Sequence, residues 1–216
     1  MGIILYEMEC SPPCAAVRMT LGHLGIKVES KLLDYYANDH MKPEYLKINP
    51  QHIVPTIDDK GLILWESRAI LSYIVDKYAP GNPLYPKDVK ERAIIDRLLY
   101  FDIGTLYKAI TDYMYPTFFL GQPPDSEKKE AADKAIGFLE GFLSQTSYVA
   151  GNHLTIADFS IFASLTYPLF FDYGLTAFPK VTAWMNKIKS QVPEYKELIE
   201  TPMTKMIESM KSDKQA

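Results

Sequence analysis

Along the first eighty residues, short apolar runs alternate with amphipathic stretches. Beyond about residue 80 the apolar positions recur at helical spacing with hardly a strand signal. Residues 3–6 form a continuous apolar run, as a strand covered on both faces requires. Cys14, Val17, Leu21 and Leu24 then follow at helical spacing up to Gly25. Residues 28–33 supply a second strand, and the strand-helix-strand order predicts a parallel pair joined by a right-handed crossover. Residues 43–48 predict a short helix, while 56–58 and 62–64 flank Asp59-Lys60-Gly61 as a hairpin. A helix over 66–78 closes the unit. The order βαβ then ββα predicts an α/β domain over 1–79 with a four-stranded mixed sheet.

Residues 79–86, Ala-Pro-Gly-Asn-Pro-Leu-Tyr-Pro, are dense in helix breakers and predict a linker over 80–87. Helical patterns at roughly 88–120, 125–145, 155–171, 178–191 and 194–211 predict an all-helical domain over 88–216. Within it Thr155-Ile156-Ala157-Asp158 reads as a capping box, with Leu154 and Phe159 as the staple around it. Asp158 therefore has a folding role, worth about 1 kcal/mol as a cap.

Composition narrows the function classes. The 216-residue chain can bury a full core, and its net charge of -4 with no Lys/Arg run excludes the footprint of a nucleic-acid binder. Two cysteines four residues apart cannot staple a secreted domain, which favours a reducing compartment such as the cytoplasm. The acidic start lacks the pattern of a signal peptide, and Tyr6 stands where a myristoylation signal needs Ser or Thr. The apolar stretch 156–171 carries Asp158 and Pro168 and falls short of a membrane span. His40 and His52, two histidines in separate loops, are too few for a zinc site, so no metal is expected.

Candidate chemistry gathers at two places. Ser11-Pro12-Pro13-Cys14 lies between the first strand and the first helix, where free N–H groups and the helix dipole favour anions. Ser11 either caps this helix or donates a hydrogen bond to a bound thiolate. Lowering a thiol pKa from about 8.5 by two units takes roughly 2.7 kcal/mol. A helix terminus supplies about 0.3–1 kcal/mol and a hydrogen bond to a charged group about 1.5–3 kcal/mol, so both are needed. Cys14 falls on the apolar face with Val17 and Leu21 and reads as core; Cys10 reads as a bystander or a nucleophile. The second place is residues 49–70. A cis bond at Val54-Pro55 would free backbone groups to pair with an extended peptide, although the dipeptide alone does not establish that isomer. Glu66 and Ser67 are either an ordinary helix start or a grip for the ammonium and carboxylate of an α-amino acid head.

Together these residues resemble a known family. Ser11-Pro-Pro-Cys14, Asn49-Pro-Gln-His-Ile-Val-Pro55 and Trp65-Glu-Ser-Arg-Ala-Ile70 resemble the cytosolic glutathione transferases, specifically the insect delta and epsilon classes. Tyr100-Phe-Asp-Ile-Gly-Thr-Leu-Tyr107 and Leu154-Thr-Ile-Ala-Asp158 extend the likeness into the helical half. The resemblance implies a thioredoxin-like domain, a helical domain and a homodimer, with glutathione as co-substrate and no other cofactor. It implies Ser11 as stabiliser of the glutathione thiolate and Val54, ahead of cis-Pro55, as backbone partner of the cysteinyl unit. Glu66 and Ser67, with Arg68 nearby, would hold the γ-glutamyl head, while His52 and His40 face the glycyl carboxylate and Ile53 lines the loop. One departure is Ala15 where the family commonly has Arg; the nearest Arg is Arg18, one turn later. The missing charge would weaken a local salt bridge or the support of the thiolate loop.

Beside the thiolate an electrophile needs an apolar wall. Tyr107, Thr111, Met114 and Phe118 share a helical face, with Tyr115 at its margin and Pro116 placed to kink it. That face is either core packing or the wall of a hydrophobic substrate pocket, which Met203 and Met206 would close. The leading expectation is conjugation of glutathione to small apolar electrophiles in detoxification. Thiol-disulfide exchange through Cys10 and a noncatalytic hydrophobic-ligand carrier are the alternatives.

Overall fold

The computed structural model describes residues 2–213, which form two compact units: residues 2–79 with 192–213, and residues 80–191. In the first, strand β1 (Ile3–Glu7) pairs in parallel with β2 (Val28–Leu32) and antiparallel with β3 (Thr56–Asp59), which pairs antiparallel with β4 (Leu62–Trp65). The order β2-β1-β3-β4 is the mixed sheet expected from βαβ-ββα. Lys60 and Gly61 join β3 to β4 with φ of 56° and 95°, the two positive values that a primed hairpin turn requires.

Helix α1 (Pro12–His23) buries Cys14, Val17 and Leu21 and packs against α3 (Ser67–Tyr78), which buries Ile70, Leu71, Ile74 and Val75. Both act with the buried Ile3, Leu5 and Ile57 of the sheet as one core. The short α2 is Pro43–Leu46. β2, at the sheet edge, leaves Leu32 exposed.

In the second unit, α4 (Val89–Phe101), a π turn (Asp102–Leu106), α5 (Tyr107–Met114) and another π turn (Tyr115–Phe119) follow one another without a break. At Pro116, where the sequence predicts a kink, the helix widens into this second π turn, and the Thr117 hydroxyl donates to the Tyr113 carbonyl. Helices α6 (Ser126–Leu143), α7 (Ile156–Ser164), α8 (Thr166–Phe170) and α9 (Pro179–Lys189) complete the unit. Ile95, Leu98, Leu106, Ile110, Ile136, Leu139, Phe159 and Phe162 form its core.

Two stretches lie elsewhere than the sequence division suggests. Leu84 and Tyr85, inside the expected linker, are buried in the helical unit: the Leu84 carbonyl accepts from Ile156 N and the Tyr85 hydroxyl donates to Asp96. The stretch from Val192 onward, including a π turn (Lys196–Glu200) and α10 (Thr201–Asp213), groups with the first unit, where the π turn packs on α1. Proline and glycine mark where the backbone turns, not where contacts cease. Among the described residues no helix is long and apolar enough to cross a membrane.

Candidate active site

The strand register brings the candidate segments to one end of the sheet. Tyr6 pairs with Thr56 and Thr56 with Trp65, so β1 ends beside the start of β3 and the end of β4. The segment 8–11 follows β1, 52–55 precedes β3 and 66–68 follows β4. Because β2 runs parallel to β1, the loop from Leu33 to His40 leaves from the same end. Separations of forty residues and more in sequence thus collapse into one rim.

Ser11 is the N-cap of α1: its Oγ accepts the Cys14 backbone N–H at 3.4 Å, and the residue is only 6% exposed. A hydroxyl that accepts with a lone pair still has its proton to donate, so capping and donating to a ligand are compatible. The loop reaches this geometry through Cys10, whose φ of 61° lies in the left-handed region. Neither cysteine is activated. Burial, with Glu9 adding to it, pushes the Cys10 thiol up to about 11. Burial likewise pushes Cys14 up to about 12, against hydrogen bonds from the Ser11 side chain and the Met8 backbone.

The Val54-Pro55 peptide is cis. The loop before it hangs on Asn49, a buried side chain whose Nδ2 donates to the Ile53 carbonyl at 3.1 Å and to Thr56 Oγ1 at 2.9 Å. Its Oδ1 accepts Gln51 N. The Tyr45 hydroxyl donates to the same Ile53 carbonyl at 2.6 Å and lies 2.9 Å from Thr56 Oγ1. These holdfasts leave Ile53 and His52 exposed and Val54 half-buried at the rim, with His52 at φ 48°.

Glu66 precedes α3 at φ 69° and ψ 102°, an unusual conformation for a residue other than glycine, and its side chain is exposed. Ser67 is buried, and its Oγ accepts from Arg68 Nη1 at 3.0 Å. His40 stacks on Tyr35 with ring centroids 4.0 Å apart and lies 6.2 Å from the His52 ring; its Nδ1 is buried without a hydrogen-bond partner. Burial pushes the Tyr35 phenol up to about 12, while a backbone hydrogen bond from Val54 works the other way. Among the described residues, no group of three or more His, Cys, Asp or Glu is placed to hold a metal.

The rim therefore gathers Ser11, His40, His52, Ile53, Val54, Pro55, Glu66, Ser67 and Arg68. Asn49, Tyr45 and Tyr35 join them as positioning side chains that the sequence reading did not single out. The Asn-Pro turn at residue 49 was the available signal for the first; nothing local marked the two tyrosines.

The aromatic face of the helical unit divides. Tyr107 and Thr111 are half-buried, with the Thr111 hydroxyl turned back to the Tyr107 carbonyl. Met114 is fully buried in the core, so it does not share the accessible face that the spacing suggested. Tyr115 is exposed and stacks on Phe119, and Phe118 and Phe119 pack on Phe171. The π turn after Met114 shifts the i, i+4 register, which separates Phe118 from the buried stripe. Met203 is buried and Met206 half-buried, both in α10.

Comparison with known proteins gives concordant matches. Residues 5–83 match the family model for the glutathione S-transferase N-terminal domain, and residues 106–191 that for the glutathione S-transferase C-terminal domain. The chain is 42% identical to glutathione S-transferase D7 of Anopheles gambiae, over 92% of each chain. It superposes on a delta-class glutathione transferase of Nilaparvata lugens with TM-score 0.92 and 41% identity, covering 97% of this chain and 99% of that one. An epsilon-class glutathione S-transferase of the housefly, Musca domestica, gives TM-score 0.88 and 38% identity over 97% of both chains.

Proposed function

The chain belongs to the glutathione S-transferases, and from that premise we propose how its own residues carry the transfer of glutathione to an electrophile. Its relatives are insect delta- and epsilon-class enzymes, and conjugation of the glutathione thiol is the reaction. The residue assignments are our reading.

Ser11 donates its hydroxyl proton to the glutathione sulfur. The observation that carries this is its place as N-cap, with a lone pair engaged by Cys14 N and the proton left to give at the positive end of α1. The dipole and a charge-assisted hydrogen bond together reach the roughly 2.7 kcal/mol that a two-unit fall in pKa takes. Val54 offers its backbone beside cis-Pro55 to the cysteinyl unit, in the manner of an added strand. Glu66 accepts the γ-glutamyl ammonium, and Ser67 with Arg68 receives its carboxylate. His52 and His40 receive the glycyl carboxylate; the unpartnered His40 Nδ1 supports a polar ligand there.

In the chemical step the thiol proton passes to solvent and the sulfur lone pair forms a bond to the electrophilic carbon. The displaced electrons leave with the leaving group or settle on the acceptor. Proximity and thiolate stabilisation account for the acceleration. Tyr107, Thr111, Tyr115 and Phe118 supply the apolar wall for a small hydrophobic electrophile, with detoxification as the role. A cytoplasmic homodimer completes the proposal, resting on family likeness, and light scattering tests its dimeric part. Burial disfavours thiol exchange through Cys10, since it pushes that thiol up to about 11.

The test is Ser11→Ala. Glutathione binding should persist while turnover with a chlorodinitrobenzene falls about 10- to 100-fold, the equivalent of one hydrogen bond to a charged group. Unchanged turnover would overturn the role of Ser11.

A further inference from the structure

Beneath the Ser11 loop lies a buried carboxylate that the reaction as described does not use. Glu7, the last residue of β1, is 5% exposed. Its Oε1 accepts from Arg18 Nη1 on α1 at 2.9 Å and from the Ser30 hydroxyl on the neighbouring β2. One oxygen thus ties together the strand that feeds the loop, the helix that leaves it and the adjacent strand.

The placement matters because of what stands next to it. Burial raises the carboxyl of Glu7, opposed by Ser30 and Arg18, with Glu9 adding to the rise. At the Cys14 sulfur, one residue from Pro13 and in contact with the Ser11 side chain, the charges of Glu7 and Arg18 register with opposite sign. Thr56, the β3 residue paired with Tyr6 at this end of β1, and Pro55 just before it carry no charge. A negative charge behind Ser11 would oppose formation of a second negative charge in front of it, and Arg18 is the counterweight. Arg18, the arginine nearest to Ala15 in sequence, is the one that makes this pair, one turn along the helix.

We propose that Arg18 and Glu7 act as a positioning pair for the reacting sulfur: Glu7 anchors the β1–α1 loop, and Arg18 cancels its charge, so that Ser11 meets the thiolate over a neutral base. The proposal rests on the assignment of Ser11 to the thiolate.

The experiment is titration of enzyme-bound glutathione by its thiolate absorbance, run on four variants beside the parent. Arg18→Ala should raise the apparent pKa of the bound thiol by about one unit, the scale of one uncompensated charge several ångströms away. Glu7→Gln combined with Arg18→Ala should return it to within a few tenths of a unit of the parent. Arg18→Lys, which keeps the charge, should stay close to the parent and covers the case in which Arg18→Ala fails to fold. Ser11→Ala is the control for the assignment beneath. An unshifted titration in that control overturns the reading of Ser11. A shifted control with an unshifted Arg18→Ala, with no restoration in the double variant, or with an Arg18→Lys displaced by a full unit, overturns the positioning pair alone.

Discussion

Asn49 donates its side-chain amide to the carbonyl of Ile53 at 3.1 Å, and the residue is fully buried while Ile53 is at the rim. A side chain without access to ligand therefore fixes the loop that carries Val54. Asn49→Ala leaves Gln51 N without its acceptor and the Ile53 carbonyl held by the Tyr45 and Thr56 hydroxyls without the amide. Thermal unfolding should show a loss of roughly 2 kcal/mol. KM for glutathione should rise several-fold with kcat less affected; an unchanged KM would show that the loop keeps its shape without the amide.

Glu66 separates stability from binding. Its φ of 69° is costly for any side chain, so Glu66→Gly should stabilise the fold by up to about 1 kcal/mol while weakening glutathione binding. Calorimetry on the free protein and titration with glutathione should move in opposite directions. A destabilised glycine variant would contradict the strain argument.

Cys14 makes stability depend on pH on the alkaline side. Its folded-state value of about 12 lies above the unfolded thiol value of about 8.5. The unfolded state thus releases its proton first, and the contribution present below about pH 8.5 is lost as pH rises toward 12. Between the parent and Cys14→Ala, the difference in unfolding free energy should shrink by about 1.4 kcal/mol per pH unit above that point. A constant difference up to pH 10 would refute it.

Asp158 exceeds the local cap that its sequence announces. One oxygen accepts Thr155 N and Oγ1, both at 2.9 Å; the other accepts Val149 N and Trp184 Nε1, both at 3.0 Å. The carboxylate joins the loop before α7 to α9 as well as closing the capping box. Asp158→Ala should cost about 3–5 kcal/mol, well beyond the 1 kcal/mol of a cap. Trp184→Phe, removing one donor, should cost much less; equal losses would mean that packing dominates.

The element pattern was legible because periodicity is local. Alternating runs gave the strands, and the 3.6-residue spacing of Cys14, Val17 and Leu21 gave a helix that buries all three. The same rule placed Tyr107, Thr111, Met114 and Phe118 on one face, yet Met114 continues the buried stripe of Leu106 and Ile110 and the π turn that starts at Tyr115 moves Phe118 off it. Pro116 announces an interruption of the helix there, but not that the helix widens by an extra residue.

The sequence by itself determined the α/β and all-helical character of its two parts, the parallel pair and the hairpin of the mixed sheet, and the motifs that carry the family resemblance, since each follows from local chemistry or from a motif read in order. The tertiary structure alone decided which distant groups meet. The register Tyr6–Thr56–Trp65 built the rim, His40 came beside His52, Asn49 and Tyr45 came beneath Ile53, and Glu7 came between Arg18 and Ser30. The physical reason is that burial and Coulomb interaction depend on distance in space, and a buried carboxylate finds its counterion wherever packing brings one.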